Sequence, residues 1–153
     1  MIIPDINILL YAEIDAYPMH ASARRWWEGA LNGDVPVGLP PVCLFGFLRI
    51  STNRRVFAEP LAIDDALARV RRWLEQANVV RLVPGSEHLD IAFELLAQLG
   101  TGGNLTTDVQ IAAHALEHRA EVHSNDGDFA RFAGLRWLNP LAPPRSSRAQ
   151  APR

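Results

Sequence analysis

The stretch LTTDVQIAAHALEHRAEVHSNDGDFARF, residues 105–132, decides the fold. Its first half has a helical period: Val109, Ala112 and Leu116 form one apolar stripe, and Thr107 with Gln110 has capping-box spacing. The second half changes period. AEVHS reads as a short buried strand, and Asp126 and Asp128 follow it around Gly127. Two unit charges ~4 Å apart repel by about 4 kcal/mol at an effective dielectric near 20. Water and a helix start offset part of that cost, and a divalent cation offsets more.

Outward from this stretch the chain alternates in the same way. MIIPD reads as a buried strand, and INILLYAEI as a helix starting straight after Asp5. Residues 18–32 form a helix entered at Pro18 and left at Asn32-Gly33. VPVGL is a second strand, PPVCLFGFLRIST a mostly buried helix, and TNRRVFAEPL a loop. IDDALARVRRWLEQA is amphipathic, with acids in its first turn and Ala66, Val70, Trp73 and Leu74 on one face. VVRLV is a third strand. SEHLDIAFELLAQLG is a helix with Ser86 as N-cap and Gly100 as stop, and LRWLN is a fifth strand. Alternation of this kind predicts an α/β class: three layers, α/β/α, with a mainly parallel central sheet of about four to five strands.

Composition limits the alternatives. The 153 residues are 48% hydrophobic, enough for one globular domain with a real core. Apolar runs stop well short of ~20 positions, so no membrane span is expected. The opening MIIPDINILLYAEID has early acids and no basic region, so no secretory signal peptide is expected. The single Cys43 has apolar neighbours, which fits a buried thiol and a reducing cytoplasm. Net charge is −2 and every Lys+Arg residue is arginine, so nucleic-acid contact has to rest on local arginine clusters. APPRSSRAQAPR, residues 142–153, reads as a disordered tail beyond a domain at 1–141.

In parallel α/β folds the working site lies beyond the carboxyl ends of the strands. Asp5 ends strand one, Asp126 and Asp128 follow strand four, and Asp108 opens the helix that feeds strand four. Each has a simpler reading. Asp108 can complement a helix dipole, worth about 0.3–1 kcal/mol, while Asp5 and Asp126 can cap the helices after them. Four such acids arriving at one sheet edge from distant segments point instead to a hard divalent cation with oxygen ligands.

These same residues carry a family resemblance. IIPDINILLYA, GFLRISTNRRVF, LTTDVQIAAHALEHRAEVHSNDGDFARF and GLRWLNPL, spanning 1 to about 141, resemble a PIN-domain ribonuclease of the VapC toxin family. The resemblance implies the toxin of a type II toxin–antitoxin system, a metal-dependent endoribonuclease with Mg²⁺ or Mn²⁺ as cofactor. It implies Asp5, Asp108 and Asp126 as catalytic metal ligands. Asp128 stands behind them or serves a second ion, and Asn7 and Ser124 hold ligands or waters. The ion would polarise the phosphoryl group and activate a water for in-line attack. Family members commonly dimerise and are held inactive by a small cognate antitoxin. One departure stands out: many relatives carry a glutamate in the helix after strand two, where this chain has no acid and Gly46 stands instead. That departure supports a second reading, an attenuated PIN module that binds RNA or a partner.

Other features have competing readings. Arg54 and Arg55, with Arg49, are candidate contacts for RNA phosphates or simply a solvated loop and helix end. Arg69, Arg71 and Arg72 read as the wet face of their helix or as a partner surface. His114, Glu117 and His118 match H-x-x-E-H, which marks a zinc peptidase in another fold. On the helical wheel they share a polar stripe with Gln110, which predicts a solvent-facing surface. Trp26 and Trp27 read as core and interface side chains.

Overall fold

The computed structural model describes residues 1–143. Five three-residue strands alternate with six helices in the described chain. They are β1 (Ile2–Pro4), α1 (Ile6–Glu13), α2 (His20–Leu31), β2 (Val37–Leu39), α3 (Pro41–Ser51), α4 (Ile63–Leu74), β3 (Val79–Arg81), α5 (His88–Leu99), α6 (Leu105–Glu117), β4 (Glu121–His123) and β5 (Arg136–Leu138). The sheet order is β3-β2-β1-β4-β5, with every pair parallel. The predicted α/β class holds.

Chain order and sheet order together locate the site. The chain steps outward from β1 through β2 to β3, then returns across the sheet to β4 on the other side of β1. Right-handed crossovers running one way and then back put α1–α4 on one face and α5–α6 on the other. The direction therefore reverses between β1 and β4, whose Pro4 and His123 are partners. In open parallel sheets ligands bind at the carboxyl edge beside such a switch point.

Ile3, Val37, Leu39 and Val122 are fully or almost fully buried in the sheet, with Leu9, Phe47 and Ile111 from the helices. Trp73 of α4 meets Trp27 and Phe47 edge-on at 5.6 and 4.8 Å between ring centroids. Such pairs contribute about 0.5–1.5 kcal/mol each beyond area burial. Trp27 is thus core, as its sequence context suggests, and Trp26 is partly buried against it.

Several local expectations change. The capping box at Thr107 does not form, because α6 already starts at Leu105 and Gln110 donates to the Thr106 carbonyl at 3.2 Å. Ser86 is not the N-cap of α5. That helix begins at His88 after Glu87, which makes no side-chain cap, and the turn before it is held by Glu117 accepting from the Gly85 amide at 3.1 Å. Helix α2 begins at His20, two residues beyond Pro18. Arg69 is not on a wet face: it pairs with the nearly buried Glu13 of α1, which also accepts from Trp73 Nε1 at 3.2 Å. Gly100 ends α5 in the left-handed region at φ 66°, as its position suggests. Most of the tail expected at 142–153, from 144 onward, lies outside the described residues.

Candidate active site

Strand pairing assembles the first part of the site. Asp5 follows β1, and its amide donates to the His123 carbonyl at 2.9 Å, so the β1 and β4 exits lie side by side. The Asp5 side chain is buried and caps α1, with Oδ1 accepting from the Ile6 amide. Its Oδ2 accepts from the Ser124 hydroxyl at 2.7 Å. That hydroxyl accepts in turn from Asn7 Nδ2 at 3.0 Å and the Asp126 amide at 2.9 Å. One donor and two lone pairs exhaust a hydroxyl, so Ser124 ties Asp5, Asn7 and the 124–128 loop into one unit.

The loop itself follows a simple local rule. Asp126 caps the short 3₁₀ helix Gly127–Arg131 by accepting from the Asp128 amide at 2.9 Å. This turn fixes both carboxylates just past β4, with Asp126 exposed and Asp128 half-buried beside Arg131. Asp108 is half-buried in the first turn of α6, which enters the sheet edge from the opposite face.

Electrostatics records how close the acids are. Burial pushes Asp5 up from 3.8 to about 6, against the lowering effect of the Ser124 and Ile6 hydrogen bonds, and Asp126 pushes it further. Asp108 rises from 3.8 to about 7 through burial and then repulsion from Asp5, Asp126 and Asp128. All four acids of the sequence reading thus share one field. They do not form a closed ligand shell: among the described residues, no three carboxylates bring donor atoms within 4.8 Å of one another. Hard oxygen donors in mutual repulsion suit a divalent cation, which would draw them together and relieve the cost.

Other candidates lie elsewhere. Arg54 and Arg55 are exposed on the loop after α3. Helix α3 starts at the site edge and is 11 residues long, so its far end stands roughly 16 Å away. Phe57 of that loop packs on Tyr17, 5.8 Å between centroids, beyond the C-terminal end of α1. Gly46 is buried against α1. A Cβ there would lie 2.2 Å from Ile6 Cδ1, so close helix packing leaves no room for a side chain at Gly46. Cys43 is buried, and desolvation holds its thiol well above its ordinary range. His114 is not on a solvent-facing stripe: it is 3% exposed, turned inward beside His88. A helical wheel shows one helix and cannot show that α5 covers that side.

A parallel sheet with carboxylates converging at its β1/β4 switch point is a nuclease-like arrangement, and comparison with known proteins gives the same class. The PIN domain family model matches residues 2–135. Ribonuclease VapC33 of Mycobacterium tuberculosis H37Rv is 57% identical over 141 residues, covering 92% of this chain and 99% of that protein. The M. tuberculosis VapC20 structure, described as a Sarcin-Ricin loop cleaving toxin, superposes with a TM-score of 0.66 at 17% identity, covering 89% of this chain and 99% of that one. The structure of VapBC2 from Rickettsia felis bound to a promoter DNA fragment superposes with a TM-score of 0.64 at 20% identity, covering 91% and 98%. The chain belongs to the PIN-domain family, among the VapC ribonucleases. No helix among the described residues is long and apolar enough to cross a membrane.

Proposed function

We propose that this chain is the toxin of a type II toxin–antitoxin pair, an endoribonuclease that hydrolyses RNA phosphodiester bonds at the pocket formed by Asp5, Asp108 and Asp126. The reading is supported above all by one observation: carboxylates from three segments lie near enough at the switch point to act on one another, and burial with that repulsion raises Asp5 to about 6 and Asp108 to about 7. The named ribonuclease with 57% identity over nearly the whole chain supports the same reaction.

Asp5, Asp108 and Asp126 would hold Mg²⁺ or Mn²⁺, both hard, oxygen-seeking ions. When bound, such an ion supplies charge neutralisation at the phosphoryl group and activation of water. The chain's own residues do the positioning. Ser124 and Asn7 orient Asp5 through a hydrogen-bond chain of 2.7 and 3.0 Å. Asp128 adds negative charge at the rim and orders the turn behind Asp126. Without a cation the pocket repels phosphate, so chelation should abolish cleavage. Arg54 and Arg55 would take the RNA backbone away from the scissile bond. We further propose that residues 1–141 form the nuclease domain, that a homodimer is the working unit, and that a cognate antitoxin blocks it. The VapBC structures among the similar folds motivate that last partner.

The test is induction in a bacterial host, wild type beside Asp5→Ala, with growth followed and new RNA 5′ ends mapped. Growth arrest and discrete cuts in the wild type alone are the expected result. Neither arrest nor cuts would instead favour the attenuated binding module, which the acid-free packing at Gly46 supports.

A further inference from the structure

A second cluster of metal-ligating side chains lies at the other end of α6. His88 opens α5, and His114 and Glu117 occupy the last turns of α6. One donor atom from each lies within 4.8 Å of the others, the tightest such group among the described residues. Along α6, six to nine residues separate it from Asp108, roughly 9–14 Å. It is therefore outside the carboxylate pocket.

The cluster is built and buried. His88 is 5% exposed and His114 3%, and their rings stand 4.2 Å apart. Nδ1 of each ring is buried without a hydrogen-bond partner among the described residues. His88 Nδ1 faces Glu117 Oε2 at 3.6 Å, too long for a hydrogen bond. Buried polar groups of this kind are ordinarily hydrogen-bonded. The backbone is shaped around the carboxylate as well. Gly85 donates to Glu117 at 3.1 Å, and a Cβ at that position would fall 2.1 Å from Oε1. His118 is exposed at the rim, its ring 6.3 Å from that of His114.

We propose that His88, His114 and Glu117 form a structural site for a borderline divalent transition-metal ion, of which Zn²⁺ is the best match, clamping the start of α5 to the end of α6. Two imidazole nitrogens and one carboxylate oxygen are a zinc donor set. Tetrahedral ligands about 2.1 Å from an ion lie roughly 3.4 Å apart, so small side-chain rotations close the site. The fourth position falls to water or to His118. The inference is independent of the nuclease reading.

The experiment uses the full chain carrying Asp5→Asn and Asp108→Asn, which removes competition from the carboxylate pocket. Zn²⁺ affinity is measured against a chromophoric chelator, and Co²⁺ is added as a spectroscopic probe. One equivalent of tight Zn²⁺, a raised Tm and the intense visible band of four-coordinate cobalt are expected. His88→Asn or His114→Asn should then weaken binding about tenfold or more. Absence of binding in the Asp5→Asn/Asp108→Asn chain overturns the proposal, as does binding that survives loss of both histidines. The cobalt spectrum needs no histidine variant: a weak six-coordinate spectrum overturns the site even if those variants fail to fold.

Discussion

Ser124 donates its one hydroxyl proton to Asp5 Oδ2 at 2.7 Å, across 119 positions of sequence. The bond forms because β1 and β4 are adjacent parallel strands that end at the same level. It orients a carboxylate that burial would otherwise drive to its neutral form. Ser124→Ala should leave the fold intact and lower RNA cleavage about 10–100-fold, the usual effect of losing a group that orients a metal ligand. A rise in the metal concentration needed for half-maximal cleavage would identify Asp5 as the group affected. Unchanged cleavage would remove Ser124 from the site.

Asp108 makes stability depend on pH in a defined direction. Its folded value, about 7, lies above the unfolded 3.8, so the folded metal-free protein holds the extra proton across that window. The destabilisation therefore grows as pH rises from about 4 and is complete above about 7. Asp5, raised to about 6, adds to the effect, and His114, lowered to about 4, acts in the opposite direction below pH 6.5, so the wild-type curve alone mixes these contributions. Comparison with Asp108→Asn separates them. The two proteins should be equally stable near pH 4, and the variant more stable at pH 8, by urea denaturation in chelator. The reverse order would contradict the assigned shift.

The same protons compete with a cation. Mg²⁺ should raise the Tm of the wild type more at pH 8 than at pH 5, since Asp5 and Asp108 ionise between about 6 and 7. Asp5→Asn should remove most of that difference. A Mg²⁺ response independent of pH would place the ion elsewhere.

Gly46 is a packing residue. Its Cβ position is 2.2 Å from Ile6 Cδ1, so Gly46→Ala should destabilise by about 1–3 kcal/mol, an overpacking cost. Ile6→Ala should relieve part of it in a double-mutant cycle. Additive losses would show that the two helices do not meet there. For the same reason Gly46→Glu should lose stability before it adds a ligand.

Glu13 and Arg69 join α1 to α4 in a nearly buried ion pair. Glu13→Ala leaves Trp73 Nε1 without its acceptor and Arg69 with only the residue-13 backbone carbonyl at 3.4 Å, and should cost about 1–3 kcal/mol, measured by urea denaturation. A loss under about 1 kcal/mol would mean the pair is effectively solvated.

Much of this molecule was legible in one dimension. Alternating periods determined the α/β class, since a strand buried on both faces must be apolar and a covering helix must be amphipathic. The position of Asp5, Asp108, Asp126 and Asp128 at strand exits and one helix start placed them at a single edge, because parallel strands all end on the same side. Helix starts were less legible: Thr107 and Ser86 have capping chemistry, yet local bonds to the Gly102 and Gly103 carbonyls start α6 at Leu105, and a tertiary bond from the Gly85 amide to Glu117 holds the turn before α5. Only the tertiary structure decided what the second face of each helix meets. It turned His114 inward against His88, paired Arg69 with Glu13, and pressed Gly46 onto Ile6. Those contacts join segments tens of residues apart, and no local pattern encodes a partner that approaches from another part of the chain.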